Sequence, residues 1–400
     1  MSFISHRMSR IKPSATLAVT ARAAELKSLG HDVMSLSVGE PDFDTPEHIK
    51  DAAIVALHQG KTKYTAVEGI LSLRKAIADK FQRENDITYT TDQIIVGVGA
   101  KQIIFNAFLS SLNPGDEVII PAPYWVSYVD MVEFSEGTPV VVRCTLDNHL
   151  KLTAKELEDA ITPQTKWLIL NSPNNPTGMV YSKAELEALA AVLRKVPHVY
   201  VLSDDIYEHL IYDSLPFSTL AQVAPDLKDR ILTVNGVSKA YAMTGWRLGY
   251  AAGPKALIEA MAMLQSQSTS NAASLSQEAA RAALEDPQDF MVERNHIFAQ
   301  RRDQAFEILN KTPGLFCLKP QGAFYLYLSC VDAMGKRTPS ASQITSDTDL
   351  ATYLLDSVGV AVVPGVAFGL SPYFRVSYAV DTDVLLEACH RISKAIRLLK

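Results

Sequence analysis

The sequence predicts an α/β protein, with a large domain built on a mostly parallel sheet flanked by helices and a smaller α+β domain. Three observations carry that prediction. At 400 residues the chain is long enough for a sizeable core and more than one domain. From about residue 50 to 290, apolar β-rich runs alternate with segments of helical period, the rhythm of a parallel sheet covered by helices. After the Pro-containing break 285-EDPQD-289 the runs become shorter. The expected division gives residues 48–297 to the large domain, and 1–47 with 298–400 to the small one.

Strands are expected at 94-IIVGV-98, 118-VIIPA-122, 140-VVVR-143, 167-WLILN-171, 200-YVLSD-204 and 231-ILTVN-235. Their near-continuous apolar character implies burial on both faces. Helical runs separate them, among them 102-QIIFNAFLSSL-112 and 182-SKAELEALAAVLRKV-196. In the second, Ser182 and Glu185 have the spacing of a capping box. A long helix is expected from Phe290 to Leu309, followed by shorter strands in 323-AFYLYLS-329, 359-GVAVVPG-365 and 373-YFRVSYA-379. The polar stretch 335-GKRTPSASQITSDTD-349 reads as an exposed, mobile loop.

Composition narrows the function. Lys plus Arg is 38 against 44 Asp plus Glu, a net charge of −6, so no basic field gathers nucleic acid or anionic lipid. Cys144, Cys317, Cys330 and Cys389 form no CxxC pair, which argues against a disulfide framework or structural zinc and for a reducing compartment. The stretch MSFISHRMSRIKPSATLAV lacks the continuous apolar core of a signal peptide, and no apolar run reaches the ~20 residues of a spanning helix. The expectation is a cytoplasmic protein that binds neither nucleic acid nor membrane.

In open α/β sheets ligands sit outside the carboxyl ends of the strands, so the residues following each strand are the candidates. Gly99-Ala100-Lys101 leads into a helix whose free N–H groups suit a phosphate, although neither GxGxxG nor GxxxxGK[ST] is present. Trp125 is either a core residue or a platform for a flat ring. Asn175 lies in the turn-forming run 172-SPNNPTG-178, where the Asn-Pro step is a candidate cis bond. Asp204 ends a buried strand and needs a cation; Asp205, one residue farther, reads as solvated; Tyr207 follows. Ser238 and Lys239 come next, with Arg247 eight residues after the lysine. A lysine among Val237, Ala240, Ala242 and Met243 is not a typical solvated lysine, and low solvation beside a cation lowers an amine's pKa. A phosphate site, an aromatic platform, a buried acid and a nucleophilic amine together suit pyridoxal 5′-phosphate.

The motifs 37-SVGEPDFDTP-46, 63-KYTAVEG-69, 121-PAPYWVSY-128, 171-NSPNNPTG-178, 204-DDIYEHL-210, 236-GVSKAYAMTGWRLGY-250 and 372-PYFRVSYA-379 run in order along the chain. On them the sequence resembles the fold-type I, class I aminotransferases, most closely the bacterial aspartate/prephenate group. The resemblance implies that Lys239 bonds the cofactor and shuttles the proton. It assigns Arg247, Ser238 and Gly99–Lys101 to the phosphate, Asp204 to the pyridine nitrogen, Tyr207 and Asn175 to the ring oxygen, and Trp125 to ring stacking. Arg375 matches the arginine for the substrate α-carboxylate, with Gly39 and Asn175 beside it. Tyr64 resembles a tyrosine that reaches the neighbouring subunit's cofactor, implying a homodimer with shared sites.

Two departures stand out. Gly236 occupies a place where some members carry a phosphate-binding serine, and 266-SQSTSNAAS-274 has no arginine for a distal carboxylate. Lys12 is the candidate cation in its stead. The implied reaction moves an amino group between L-aspartate or L-glutamate and a 2-oxo acid (oxaloacetate, 2-oxoglutarate), and from such donors to prephenate, giving arogenate. An aromatic aminotransferase and a pyridoxal-phosphate-dependent β-lyase are the alternatives.

Overall fold

The computed structural model describes the chain except residues 1–2 and 13–14 and the side chains of 15–17. The strands in chain order are β1 (Met34–Ser35), β2 (Ile94–Gly97), β3 (Glu117–Ala122), β4 (Thr138–Arg143), β5 (Thr165–Asn171), β6 (Tyr200–Asp204) and β7 (Ile231–Gly236). They continue as β8 (Gly249–Ala252), β9 (Phe316–Cys317), β10 (Tyr325–Ser329), β11 (Val360–Ala361), β12 (Val363–Pro364) and β13 (Tyr373–Ser377).

Seven strands form one sheet in the order β2-β8-β7-β6-β5-β3-β4. Pairing is parallel except around β8, which runs antiparallel to both β2 and β7. All strands but β8 therefore point one way, and their carboxyl ends share one edge of the sheet. Successive residues face opposite sides. Ile94, Val96, Leu168, Leu170 and Val201 enter one core, while Ile95, Val118, Ile120, Ile169 and Leu202 enter another across the sheet. Two-sided burial is why these strands read as continuous apolar runs. The edge strand β4 is the partly exposed exception.

The six large-sheet strands expected from sequence are present, with β8 added between two of them. The helix Lys183–Arg194 carries the expected capping box of Ser182 and Glu185. The second unit has an antiparallel sheet, β12-β13-β10-β9, and β1 pairs in parallel with β11. The helix Phe290–Asn310 is continuous, with Met291 in the large-sheet core and Phe298, Ala305 and Leu309 in the other. The stretch 335–349 is less free than its composition implied. Arg337 exchanges backbone hydrogen bonds with Lys400 (2.7 and 2.9 Å), Ile344 is buried, and a helix begins at Asp347 under a Ser346 cap.

Candidate active site

The carboxyl ends of β3, β5, β6 and β7 open onto a cavity of ≈ 400 Å³, which β10, β13 and the segment after β1 also wall. Every residue assigned from sequence to the cofactor or the substrate lines it except Gly99, Tyr64 and Lys12. Gly99 stands just behind the wall as the N-cap of helix Ala100–Ser111, at φ +81°. A Cβ there would lie 2.5 Å from Arg247 Nη2, so only glycine lets the guanidinium approach the helix end. The first-turn N–H groups of Ala100 and Lys101 have no intrahelical acceptor, and with Arg247 they form a cradle for an anion. Arg247 is held by its own turn, donating to Thr244 O at 2.8 Å.

Lys239 leaves β7 through the turn at Gly236 and donates from Nζ to Gly39 O at 2.7 Å. Burial lowers its pKa from 10.5 to about 8; Arg375 and Arg247 add to this, while Glu40 opposes it. At pH 7 such an amine is unprotonated roughly 300-fold more often than an ordinary lysine. The rate at which Lys239 captures an aldehyde reagent should rise up to about pH 8 and then level. A rise continuing beyond pH 10 would contradict that environment. Because the folded chain binds this proton less tightly than the unfolded chain, folding should also gain stability between about 8 and 10.5.

Asp204 is buried at the end of β6, where Tyr128 donates to Oδ2 at 2.5 Å and Ile206 N–H donates to Oδ1 at 3.3 Å. Burial lifts its pKa to about 6 against these bonds and the charge of Lys239. The expectation for Asp205 is corrected. It is 2% exposed rather than solvated, because its N–H still pairs with Val234 O of β7 and Ser203 Oγ donates to its carboxylate, and burial pushes its carboxyl to about 7.

Arg375, on β13, is 3% exposed and donates to Asn175 Oδ1 (2.9 Å) and Ser37 O (2.6 Å). Its Nε–H is buried without a partner, leaving a donor for an incoming acceptor. The peptide bond Asn175-Pro176 is cis. Tyr207 and Tyr325 hydroxyls meet at 2.9 Å, and the Arg375 guanidinium lies 4.4 Å from the Tyr325 ring centre.

Three supporting residues escaped the sequence reading. Tyr128 follows Trp125 by three places and packs edge-on against it at 5.2 Å, a helical spacing that could have flagged it. Asn171 bonds both the Asp204 carbonyl and the Asn175 N–H. Tyr325 looked like one more apolar strand position. Lys12 is exposed and outside the cavity wall, its N–H donating to Asp130 at 3.3 Å. Lys101 instead faces the cavity, its Nζ 4.9 Å from the Trp125 ring centre.

Residues 31–392 match the family model described as aminotransferase class I and II. Over 395 residues the chain is 57% identical to a "Probable aspartate/prephenate aminotransferase" of Rickettsia felis, covering 99% of this chain and 97% of that one. The aspartate aminotransferase structure from Rhizobium meliloti aligns at TM-score 0.97 and 54% identity, covering 100% of both chains. That of Thermus thermophilus aspartate aminotransferase with maleate aligns at 0.92 and 44%, covering 99% and 100%.

Proposed function

The chain belongs to the class I and II aminotransferase family, and from that premise we propose that it is an aspartate aminotransferase that carries pyridoxal 5′-phosphate in this cavity and also accepts prephenate. The observation that carries the reading is the company of Lys239. An amine with a pKa of about 8 shares one cavity with a buried acid and a buried arginine that has an unpartnered N–H.

The residues fit the cofactor on two counts. The space left open at Gly99 and the donors around Arg247 suit a phosphate. Asp204, buried with a raised pKa, calls for the cation that a protonated ring nitrogen would provide. Tyr207 and Asn175 would bond the ring oxygen, Trp125 would cover the ring, and Ser238 would join the phosphate donors. When bound, pyridoxal 5′-phosphate supplies an aldehyde that bonds amines and a ring that withdraws electrons from the substrate α-carbon.

The chain's own residues do the rest. Arg375 grips the α-carboxylate and orients the α-carbon; Lys239 Nζ, uncharged, takes the α-proton as general base. Donor and acceptor use the site in turn, so ping-pong kinetics is expected. For the distal carboxylate we favour Lys101 over Lys12, because Lys101 is on the wall of the cavity and Lys12 is not. A second carboxylate is common to aspartate, to prephenate and to the maleate named with the Thermus thermophilus structure.

A homodimer with shared sites is supported by Tyr64, which is 92% exposed and does not line its own cavity. A monomer in sedimentation velocity would count against it. We assign 48–297 to the large domain and 1–47 with 298–400 to the small one, a division that limited proteolysis can test. The cytoplasm is the proposed location. The four cysteines are free and buried, and among the described residues no helix is long and apolar enough to cross a membrane. Recovery of the protein outside the cytoplasm on fractionation would overturn it.

The test is a visible absorbance spectrum. The purified protein should show a cofactor band that L-aspartate alone removes and prephenate restores. A band unmoved by L-aspartate would transfer the donor role to another amino acid. Pyruvate and ammonia from a single amino acid would indicate a β-lyase. No band, even after pyridoxal 5′-phosphate is added, would remove Lys239 from the case.

A further inference from the structure

Lys80, on the helix Leu71–Asn85, is fully buried, an unusual place for an ammonium group. It bonds the Glu208 carboxylate, donates to Asn85 Oδ1 at 2.8 Å, and lies 3.5 Å from Glu84 Oε2. Glu208, also buried, receives two further donors: Asn235 Nδ2 at 2.7 Å and Asn85 Nδ2 at 3.1 Å. His209 Nε2 completes the cluster 2.8 Å from Glu84 Oε2. Glu84, Glu208 and His209 group closely enough to hold a metal ion, but the Lys80 ammonium is already the cation between the two carboxylates.

A buried ion pair often stabilises a fold no better than apolar side chains of the same volume, which directs attention to the geometry this pair fixes. Glu208 directly follows Tyr207. Asn235 is the penultimate residue of β7, and its Oδ1 accepts from Gly236 N–H at 2.7 Å. Gly236 ends β7 opposite Gly249 of β8, and the turn to Ser238 and Lys239 starts from it. Asn235 restrains that N–H, Glu208 restrains Asn235, and Lys80 holds Glu208.

We propose that the Lys80–Glu208 pair is a positioning device for the reactive amine: through Asn235 it sets the turn carrying Ser238 and Lys239, and through its own backbone it sets Tyr207. This rests on the reading of Lys239 as the cofactor-bonding residue.

The test compares wild type with Lys80→Met/Glu208→Leu, which replaces the pair with apolar groups, and Lys80→Met/Glu208→Gln, which keeps an acceptor for Asn235. Fluorescence titration of the apoprotein with pyridoxal 5′-phosphate gives affinity; the pH midpoint of the visible band and the split of kcat from KM report the amine's placement. The apolar pair should fold, yet bind the cofactor roughly tenfold or more weakly, move the band's midpoint, and lose kcat at least as much as KM for L-aspartate worsens. The Gln variant should recover the affinity to within about threefold of wild type. If the apolar pair fails to fold, Asn235→Ala takes its place, with the same losses expected. Affinity and kcat within about twofold of wild type with an unmoved midpoint, in the apolar pair or, if that pair does not fold, in Asn235→Ala, would overturn the proposal. If wild type itself binds no cofactor, the reading of the cavity falls and the proposal with it; if wild type binds and the variant matches it, only the proposal falls.

Discussion

Lys239→Ala should lower turnover by about four orders of magnitude or more while leaving the fold intact. The expectation follows from the position of Nζ, enclosed beside Gly39 O with a pKa of about 8, where on the proposed mechanism it would serve as both nucleophile and base. The other lysine on the cavity wall, Lys101, lies over the Trp125 ring and leaves from a different strand end, so it cannot inherit the role without moving the backbone. Pyridoxal 5′-phosphate should still bind non-covalently through the phosphate cradle, which does not involve the lysine. Steady-state kinetics with L-aspartate and a thermal unfolding curve check both halves. Activity within tenfold of wild type would end the assignment.

Arg375→Lys should raise KM for L-aspartate by about 10²-fold, equivalent to roughly 2.7 kcal/mol and the size of one charged hydrogen bond. The guanidinium already uses two N–H groups on Asn175 Oδ1 and Ser37 O and still presents Nε–H. A lysine has a single nitrogen at the end of its chain, so it cannot brace itself on two fixed acceptors and also offer a fork to a carboxylate. Burial adds a second penalty. It lowers the pKa of Arg375 without threatening the charge, whereas a lysine buried there would lose its proton far more readily. A KM near the wild-type value would mean that the α-carboxylate binds elsewhere.

Much of the fold was legible in the residues because the central strands are buried on both faces and therefore carry unbroken apolar runs. The strand β8 was not. Its four residues, GYAA, have no β-branched side chain, and nothing local announces that the chain doubles back between β7 and β2. The long helix Phe290–Asn310 was visible, but its service to two cores was not, since that depends on what packs against each end.

The sequence by itself determined the α/β architecture, the chemical inventory of the cavity and the family, because strand-end motifs keep their order and spacing along the chain. Tertiary structure decided which groups meet. Tyr128 reaches Asp204 from the helix Ser127–Phe134 and Asn171 from the neighbouring strand β5, Tyr325 arrives from the second sheet, and Lys80 meets Glu208 across 128 residues of chain. It also turned Asp205 inward and left Lys12 outside the cavity wall while presenting Lys101. The physical reason is the range of the forces. Apolar periodicity and turn chemistry act within a few residues and can be read in line, whereas burial and electrostatics are set by neighbours that only the folded chain brings together.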